Sequence, residues 1–560
     1  MTFYTYKNIF LALALIVTFS NRLLYSAEEL TIVGGGIVGA IEAYYAHLDA
    51  KENNTSLHIT IYEKNQSISD TTASNIVPSW TPDEILSVVP RGQALVDKLK
   101  IKFSEPGGIR VDDVAGVNDT ATTELFTQEV QNYSLDEAGH NQRTQDLLAL
   151  GKMSMDMWKE IYTHADAELK AILDESNFNT CHEPLKAGKK TLRDGYRIDL
   201  IYNVSNAQER AEGMKRDYEA LGYKQCAILT PTEVMTIDPF LTDFCKDHSV
   251  DNAWNNDTVA LWRPGGCIDA QVFLPKLYAY LKKVMGTYTN AHGQKEDCFQ
   301  IKFGKKVTGV EFSKNNAGKT VVVGLTFEDG QVTRSKGAKS DYVFCPGEAV
   351  GTLKQLGFCE PAYAGFAGVS LKLDIEIPDN KLAEYKKFNH CMEVHGVGVV
   401  LAWQGRFRDG KISVGVAGTK GYYAKEAATI YQEFAKNRNL LQLNMINDVL
   451  PEFISLALKY DTKGKILTEK DLHYLESEKI ATRWAGIRAV VYDGFPTVGY
   501  VYKDGSKVEN ARCTTHLGSG GVSFSPAATK ISRNAMNEKP DAFTQRILKY
   551  GDSSRTSKSL

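Results

Sequence analysis

Apolar positions change their spacing several times along the chain, and each change predicts an element. Leu30, Ile32 and Val33 make a short strand, and Ala40 to Tyr45 read as the body of a helix. A second strand, His58 to Tyr62, follows a polar loop from Lys51 to Ser56. Leu147, Leu150, Met157 and Ile161 recur at helical spacing, so the stretch through Tyr162 predicts a core-facing helix whose methionines are packing residues. Leu274, Leu277, Leu281 and Val284 predict another helix, stopped by Gly286, with Pro275 expected to push its start beyond Asp269. Between these helices, residues 177–260 are polar and read as loops and short elements. From Lys306 to Thr333 the pattern becomes that of strands, through Val307, Val310 and Phe312 and then Val321, Val323, Leu325 and Phe327, with a hairpin turn at Asp329-Gly330. A strand from Asp341 to Phe344 ends in Cys345-Pro346-Gly347. Another hairpin runs from Val399 to Val416 through Asp409-Gly410, and helical sequence follows from Tyr423 to Lys459.

The first strand runs into Gly34-Gly35-Gly36-Ile37-Val38-Gly39 and then into the helix, the order of a dinucleotide-binding GxGxxG turn. In that reading Gly34 permits the tight turn, Gly36 lets the backbone approach a pyrophosphate, and Gly39 allows the helix to pack closely on the strand. Glu63 ends the second strand, where a carboxylate holds the hydroxyls of an adenosine ribose. The motif alone does not separate NAD from FAD, because both present the same adenosine diphosphate. A nucleotide-binding start followed by antiparallel sheet predicts an α/β fold: a Rossmann-type domain interleaved with an α+β domain built on an antiparallel sheet.

At 560 residues, with 43% hydrophobic and 24% charged positions, the chain buries a large core without disulfide or metal staples. Its 65 Lys plus Arg against 68 Asp plus Glu leave a net charge of -3, which offers no field to recruit nucleic acid and favours a small ligand. The 9 cysteines include no CxxC pair, so neither a zinc site nor a redox dithiol is expected. They read as mostly buried free thiols, with disulfides among those from Cys181 to Cys298 as the alternative. Lys7 followed by the apolar run Ile9 to Phe19 reads as a secretory leader, hence export, with an uncleaved anchor or a misassigned start as alternatives. The run spans only ~16 Å as a helix, short of a ~30 Å hydrocarbon core. Sequons at Asn53, Asn54, Asn65, Asn118, Asn132, Asn203 and Asn256 matter only if a eukaryotic host exports the chain, and chance matches explain them equally well.

Three late segments carry a resemblance. They are Arg483-Trp484-Ala485-Gly486-Ile487-Arg488, Asp493-Gly494-Phe495-Pro496-Thr497-Val498-Gly499, and His516-Leu517-Gly518-Ser519-Gly520-Gly521-Val522-Ser523-Phe524-Ser525-Pro526. Together with the N-terminal motif, the chain resembles the D-amino acid oxidase superfamily of FAD-dependent oxidoreductases, which includes D-amino acid dehydrogenases, glycine oxidase and sarcosine oxidases. Asp341 to Gly347, Gly266 to Asp269, Asp238 to Leu241 and Thr71 to Asn75 resemble further family segments, so the likeness runs from Ile32 to Pro526. Ala489 stands where the family usually has proline, and His516-Leu517 replaces its usual Gly-His.

The resemblance implies FAD as cofactor and oxidation of a small amino acid, a D-amino acid first, by hydride transfer from the carbon bearing nitrogen to flavin N5. It implies O2 or a quinone as electron acceptor. N-methyl amines, 2-hydroxy acids and a non-catalytic flavin-binding subunit are the alternatives. Gly34, Gly36, Ile37, Val38, Gly39, Glu63, Lys64, Thr72, Ala73, Ser74 and Gly347 are the implied cofactor contacts on the adenosine and second-loop sides. Gly518, Ser519, Gly520, Gly521 and Val522 are implied at the flavin edge where reduction places negative charge. Arg488 is implied as the clamp of the substrate carboxylate, with Tyr422 and Tyr423 as candidate assisting phenols. No dedicated base is needed if the amine enters neutral, and His516 reads as structural. Cys345 and Cys513 lie near the implied flavin segments, where noncovalent FAD is expected over a covalent link. The expected division is a leader or anchor at 1–27, FAD-binding segments at 28–110, 261–358 and 481–545, substrate-domain segments at 111–260 and 359–480, and a disordered tail at 546–560.

Overall fold

The computed structural model describes residues 28–71, 79–80, 120–133, 137–176, 178–180, 196–201, 205–220, 222–223, 226–237, 253–254, 257–289, 294–334, 340–349, 351–385, 389–396, 399–408, 410–419, 468–518, 520–535 and 540–556. Thr72, Ala73, Ser74, Tyr422, Tyr423 and Ser519, the apolar run Ile9 to Phe19, the segment Asp238 to Leu241 and the expected helix from Tyr423 to Lys459 lie outside those residues.

In chain order, the elements that frame the site begin with β1 (Glu28–Val33), α1 (Ile37–Glu52), β2 (Leu57–Tyr62), α2 (Glu137–His164) and α3 (Ala167–Glu175). They continue with β3 (Tyr196–Ile201), α4 (Ala207–Ala220), β4 (Ala227–Leu229), β5 (Val259–Pro264), α5 (Ala270–Met285) and β6 (Phe299–Lys302). Next come β7 (Val307–Lys314), β8 (Thr320–Phe327), β9 (Val332–Arg334), β10 (Ser340–Phe344), β11 (Tyr363–Glu376), β12 (Asn389–Gly396), β13 (Val399–Arg408) and β14 (Lys411–Thr419). The chain closes with α6 (Glu469–Ser477), β15 (Ala481–Val491), β16 (Thr497–Lys503), β17 (Ser506–Thr515), α7 (Gly521–Asn534) and α8 (Ala542–Gly551).

Two sheets dominate. The first is six-stranded, in the order β6-β2-β1-β10-β17-β16, with every pair parallel except the last. Its central strands carry Ile32, Ile59, Ile61, Val343 and Phe344, all buried, as a parallel sheet covered on both faces requires. The second is eight-stranded, β15-β11-β14-β13-β12-β3-β5-β4, antiparallel apart from the β12–β3 pair. The mixed α/β architecture with antiparallel sheet is therefore as the pattern predicts. A small sheet, β7-β8-β9, also forms where the period of two places it, and Gly330 turns its second hairpin at φ 78°.

Several expectations change. Residues 177–260 include, besides short pieces, the 14-residue helix α4, which is dominated by charged residues and buries only Ala207, Ala211 and Tyr218; so narrow a stripe leaves little apolar periodicity. Pro275 does not delay α5, which begins at Ala270 because Asp269 caps it by accepting from the Gln271 N–H at 3.1 Å. Leu274, Leu277 and Leu281 are buried there, but Val284 is exposed. Leu147, Leu150, Met157 and Ile161 are all in the core. Strand β15, expected in the last FAD-binding segment, instead pairs along its length with β11, so the chain changes sheets between Val491 and Thr497. The tail expected to be disordered is ordered through Thr556, with Ser553 and Arg555 buried. Cys226, Cys267 and Cys298 are not joined in disulfides, which removes them from the disulfide alternative.

Candidate active site

The candidate site lies at the carboxyl ends of neighbouring parallel strands, where open α/β sheets bind ligands. Strand β1 ends at Val33, β2 at Tyr62, β10 at Phe344 and β17 at Thr515, and the four following turns hold most of the expected cofactor residues.

The first turn is built by close approach. Gly34 has φ 109°, and a Cβ there would lie 2.1 Å from the Cys345 carbonyl oxygen, while a Cβ on Gly39 would lie 2.0 Å from the Gly34 carbonyl oxygen. No side chain fits either place. Gly36 differs: its Cβ position has nothing within 4 Å. This glycine leaves space rather than relieving a clash in the chain, the arrangement a pyrophosphate needs. Ile37 and Val38 are buried behind it.

Helix ends give a second signal. Asp166, Asp269, Thr468 and Asp541 cap α3, α5, α6 and α8 with side-chain oxygens. By contrast, α1 and α7 start from Gly36 and Gly520 with no capping side chain and no acidic residue in the first turn. Their first N–H groups and positive dipole ends are thus left for an anion or a developing negative charge. The Cβ position of Gly521, like that of Gly36, is open.

Glu63 is buried at the tip of β2. Its Oε2 accepts the Gly35 N–H at 2.7 Å and its Oε1 the Asn65 N–H at 2.9 Å, which fixes the carboxylate while a lone pair remains on each oxygen for a ribose hydroxyl. Lys64 pairs with Glu348 at 3.2 Å and so joins the turn after β2 to the turn after β10, where Gly347 takes φ 59°.

Residues that no local spacing marks support these turns. The Tyr278 hydroxyl, on α5, donates to the Gly35 carbonyl at 2.8 Å. Burial and then the charge of Glu63 hold that phenol's pKa well above its usual value, so it stays a donor. On α2, Trp158 donates to the Val522 carbonyl at 3.1 Å and Ser154 to the Ser523 carbonyl, bracing the first turn of α7 from below. The apolar spacing of α2 predicts a core-facing helix and carries no sign of this bracing role.

Arg488 is half-buried on β15, in register with Phe366 of β11. Side chains alternate along a strand, so Arg488 shares a face with Val490. That face meets the last glycine turn, since Val490 Cγ1 lies 3.5 Å from the Cβ position of Gly518 and the Gly518 N–H donates to the Ala489 carbonyl at 3.0 Å. Ala489 itself sits inside the ladder, opposite Gly365. His516 is buried and held at both ring nitrogens, Nδ1 by Thr497 at 2.9 Å and Nε2 by Glu360 at 3.0 Å, as a structural histidine would be. Cys345 and Cys513 are buried, and burial is the main cause that raises both thiols far above the normal cysteine range. They remain protonated at neutral pH and are poor nucleophiles.

This arrangement fits a dinucleotide along the first three turns and a group that gains negative charge at the fourth. The sequence matches the profile of the FAD dependent oxidoreductase (DAO) family over residues 29–533. A comparison with curated protein sequences finds no match. Among solved structures, the chain is similar to a thermally stable mutant of fructosyl peptide oxidase at 14% identity and a TM-score of 0.52, covering 95% of this chain and 96% of that one. It is also similar to glycine oxidase from Bacillus cereus, with 13% identity, a TM-score of 0.48 and coverage of 92% and 96%. L-proline dehydrogenase from P. horikoshii gives 14% identity, a TM-score of 0.46 and coverage of 95% and 98%. At these identities the likeness is one of fold.

Proposed function

Because the chain belongs to the FAD dependent oxidoreductase (DAO) family and its cofactor is FAD, we propose that it oxidises the C–N bond of a small amino acid, a D-amino acid first. The observation that carries this reading is the meeting of one face of β15 with the Gly518 turn, since Arg488 lies on that face. A guanidinium fork there binds a substrate carboxylate bidentately and orients the α-carbon toward the cofactor.

FAD, when bound, supplies the two-electron acceptor. The residues proposed to hold it are Gly34, Gly36, Ile37, Val38 and Gly39 at the pyrophosphate, Glu63, Lys64, Thr72, Ala73 and Ser74 on the adenosine side, and Gly347 on the second loop. Gly518, Ser519, Gly520, Gly521 and Val522 are proposed to serve the developing negative charge, which preorganised backbone N–H groups would stabilise without reorganisation. Tyr422 and Tyr423 are the proposed assisting phenols. The amine enters neutral, so no side chain is assigned as base. O2 or a quinone takes the electrons onward, and the Ile9 to Phe19 run is proposed as an export leader, which N-terminal sequencing beginning at Met1 would refute.

The test is anaerobic titration of the purified yellow protein with D- and L-amino acids, glycine, sarcosine and 2-hydroxy acids. Bleaching by amino acids, strongest for the D series, is the expected result. Bleaching by 2-hydroxy acids or sarcosine alone overturns the substrate assignment. Rapid re-oxidation by air then identifies an oxidase. For the clamp, Arg488→Ala should raise KM at least ~10-fold, the loss of about one charge-assisted hydrogen bond, with FAD still bound. Unchanged kinetics reject it.

A further inference from the structure

Residues 552–556, which follow α8, are polar, yet they deliver a buried arginine to the segment between β15 and β16. Arg555 uses all five guanidinium N–H groups. Nε and Nη2 fork onto Asp493, at 3.0 Å to Oδ2 and 3.2 Å to Oδ1, and Nη2 also donates to the Phe495 carbonyl at 2.6 Å. Nη1 donates to the Thr497 hydroxyl oxygen at 3.2 Å and to the Asp552 carbonyl at 3.1 Å. Asp493 Oδ1 accepts the Phe495 N–H at 2.9 Å, so the segment where the chain changes sheets is wrapped around the guanidinium.

The contacts continue toward the cofactor side. Thr497 Oγ1 lies 2.9 Å from His516 Nδ1, and the opposite ring nitrogen lies 3.0 Å from Glu360 Oε1. Glu360 is itself held, its Oε2 accepting the Lys354 N–H at 2.8 Å. His516 has φ 57°, a left-handed conformation that a residue with a side chain keeps only where its surroundings impose it. Gly518 follows at φ 58°, and Gly520 then caps α7. The imidazole, anchored at both ends, therefore fixes the start of the turn together with the Gly518 N–H bond to the Ala489 carbonyl.

We infer that Arg555 is a positioning residue for the cofactor-facing turn, acting through Thr497 and His516 on Gly518, Gly520 and Gly521. The inference rests on the proposed assignment of that turn to the flavin. A guanidinium that only staples the tail would affect stability alone. One that sets the turn also affects how well its N–H groups stabilise negative charge on the reduced cofactor. Lysine, with a point charge and three donors, cannot span the Asp493 fork together with Thr497 and Phe495.

The experiment uses the full chain with FAD, comparing wild type, Arg555→Met, Arg555→Lys and a chain ending at Thr556. FAD dissociation constants and flavin midpoint potentials are measured alongside Tm. Arg555→Met should weaken FAD binding at least ~10-fold, as loss of a charge-assisted hydrogen-bond set implies, and lower the midpoint potential. Arg555→Lys should fall between it and wild type, and the chain ending at Thr556 should match wild type. A lowered Tm with unchanged FAD affinity and potential overturns the inference. Should Arg555→Met not fold, Thr497→Val interrupts the contacts to His516 while leaving the Asp493 fork, and an unchanged potential there is equally fatal. A wild-type flavin that no amino acid bleaches, beside a shifted potential in Arg555→Met, sinks the substrate reading and leaves the positioning role standing.

Discussion

Gly34 and Gly36 stand two positions apart in one motif and answer to different constraints. A methyl group on Gly34 collides with the Cys345 carbonyl in the protein alone, whereas one on Gly36 meets nothing. Gly34→Ala should therefore destabilise the apoprotein by more than ~2 kcal/mol, through a clash in a backbone region disfavoured for side chains. Gly36→Ala should cost the apoprotein ~1 kcal/mol or less and still lose FAD. Paired thermal melts and flavin titrations check this, and equal losses of apo stability would refute the distinction. The spacing GxGxxG was legible along the chain, but not which glycine serves packing and which serves the ligand. That depends on how near β10 comes to β1, a contact between residues some three hundred positions apart.

Among the helices, the difference in capping is the most local of the signals. Asp166, Asp269, Thr468 and Asp541 stand just before their helices and cap them with side-chain oxygens, whereas α1 and α7 start from bare glycines. Gly36→Asp tests the meaning of the contrast. The residue has extended backbone angles suited to a cap and open space for a side chain, so the variant should raise apo stability by ~1 kcal/mol. The same carboxylate would repel a pyrophosphate, so FAD binding should be lost. A variant that keeps FAD affinity would remove α1 from the anion site. Helix α4 shows the opposite case: it buries only Ala207, Ala211 and Tyr218, and its charged face leaves no strong period to read.

The whole chain titrates in a way that no single motif announces. Burial pushes the Cys226 thiol and the Tyr44 and Tyr342 phenols up to about 12, so the folded protein keeps protons that the unfolded chain releases from ~8.5 upward for cysteine and ~10 for tyrosine. Stability should fall as pH rises through that range. Burial also holds His47 and His58 below their ordinary value, so the unfolded chain takes up protons first as pH drops past ~6.5, and stability falls there too. Thermal melts from pH 5 to 10.5 should show a plateau between ~6.5 and ~8.5 with a decline on each side; a Tm that climbs above pH 9 would refute the burial of these groups.

The architecture divides along the same line. Strand periods, glycine turns and the apolar faces of α2 and α5 depend on neighbours a few positions away, and those could be read directly. Tyr278 under the first turn, Trp158 and Ser154 under α7, and Arg555 on Thr497 behind His516 make contacts over separations of 58 to 369 residues in the chain. The pairing of β15 with β11 is of the same long-range kind, and so is the hydrogen bond from Gly518 to Ala489 that brings the face of Arg488 to the last turn. Local spacing carries no record of such contacts, because they form only when elements distant in the chain pack together and their buried polar groups must find partners.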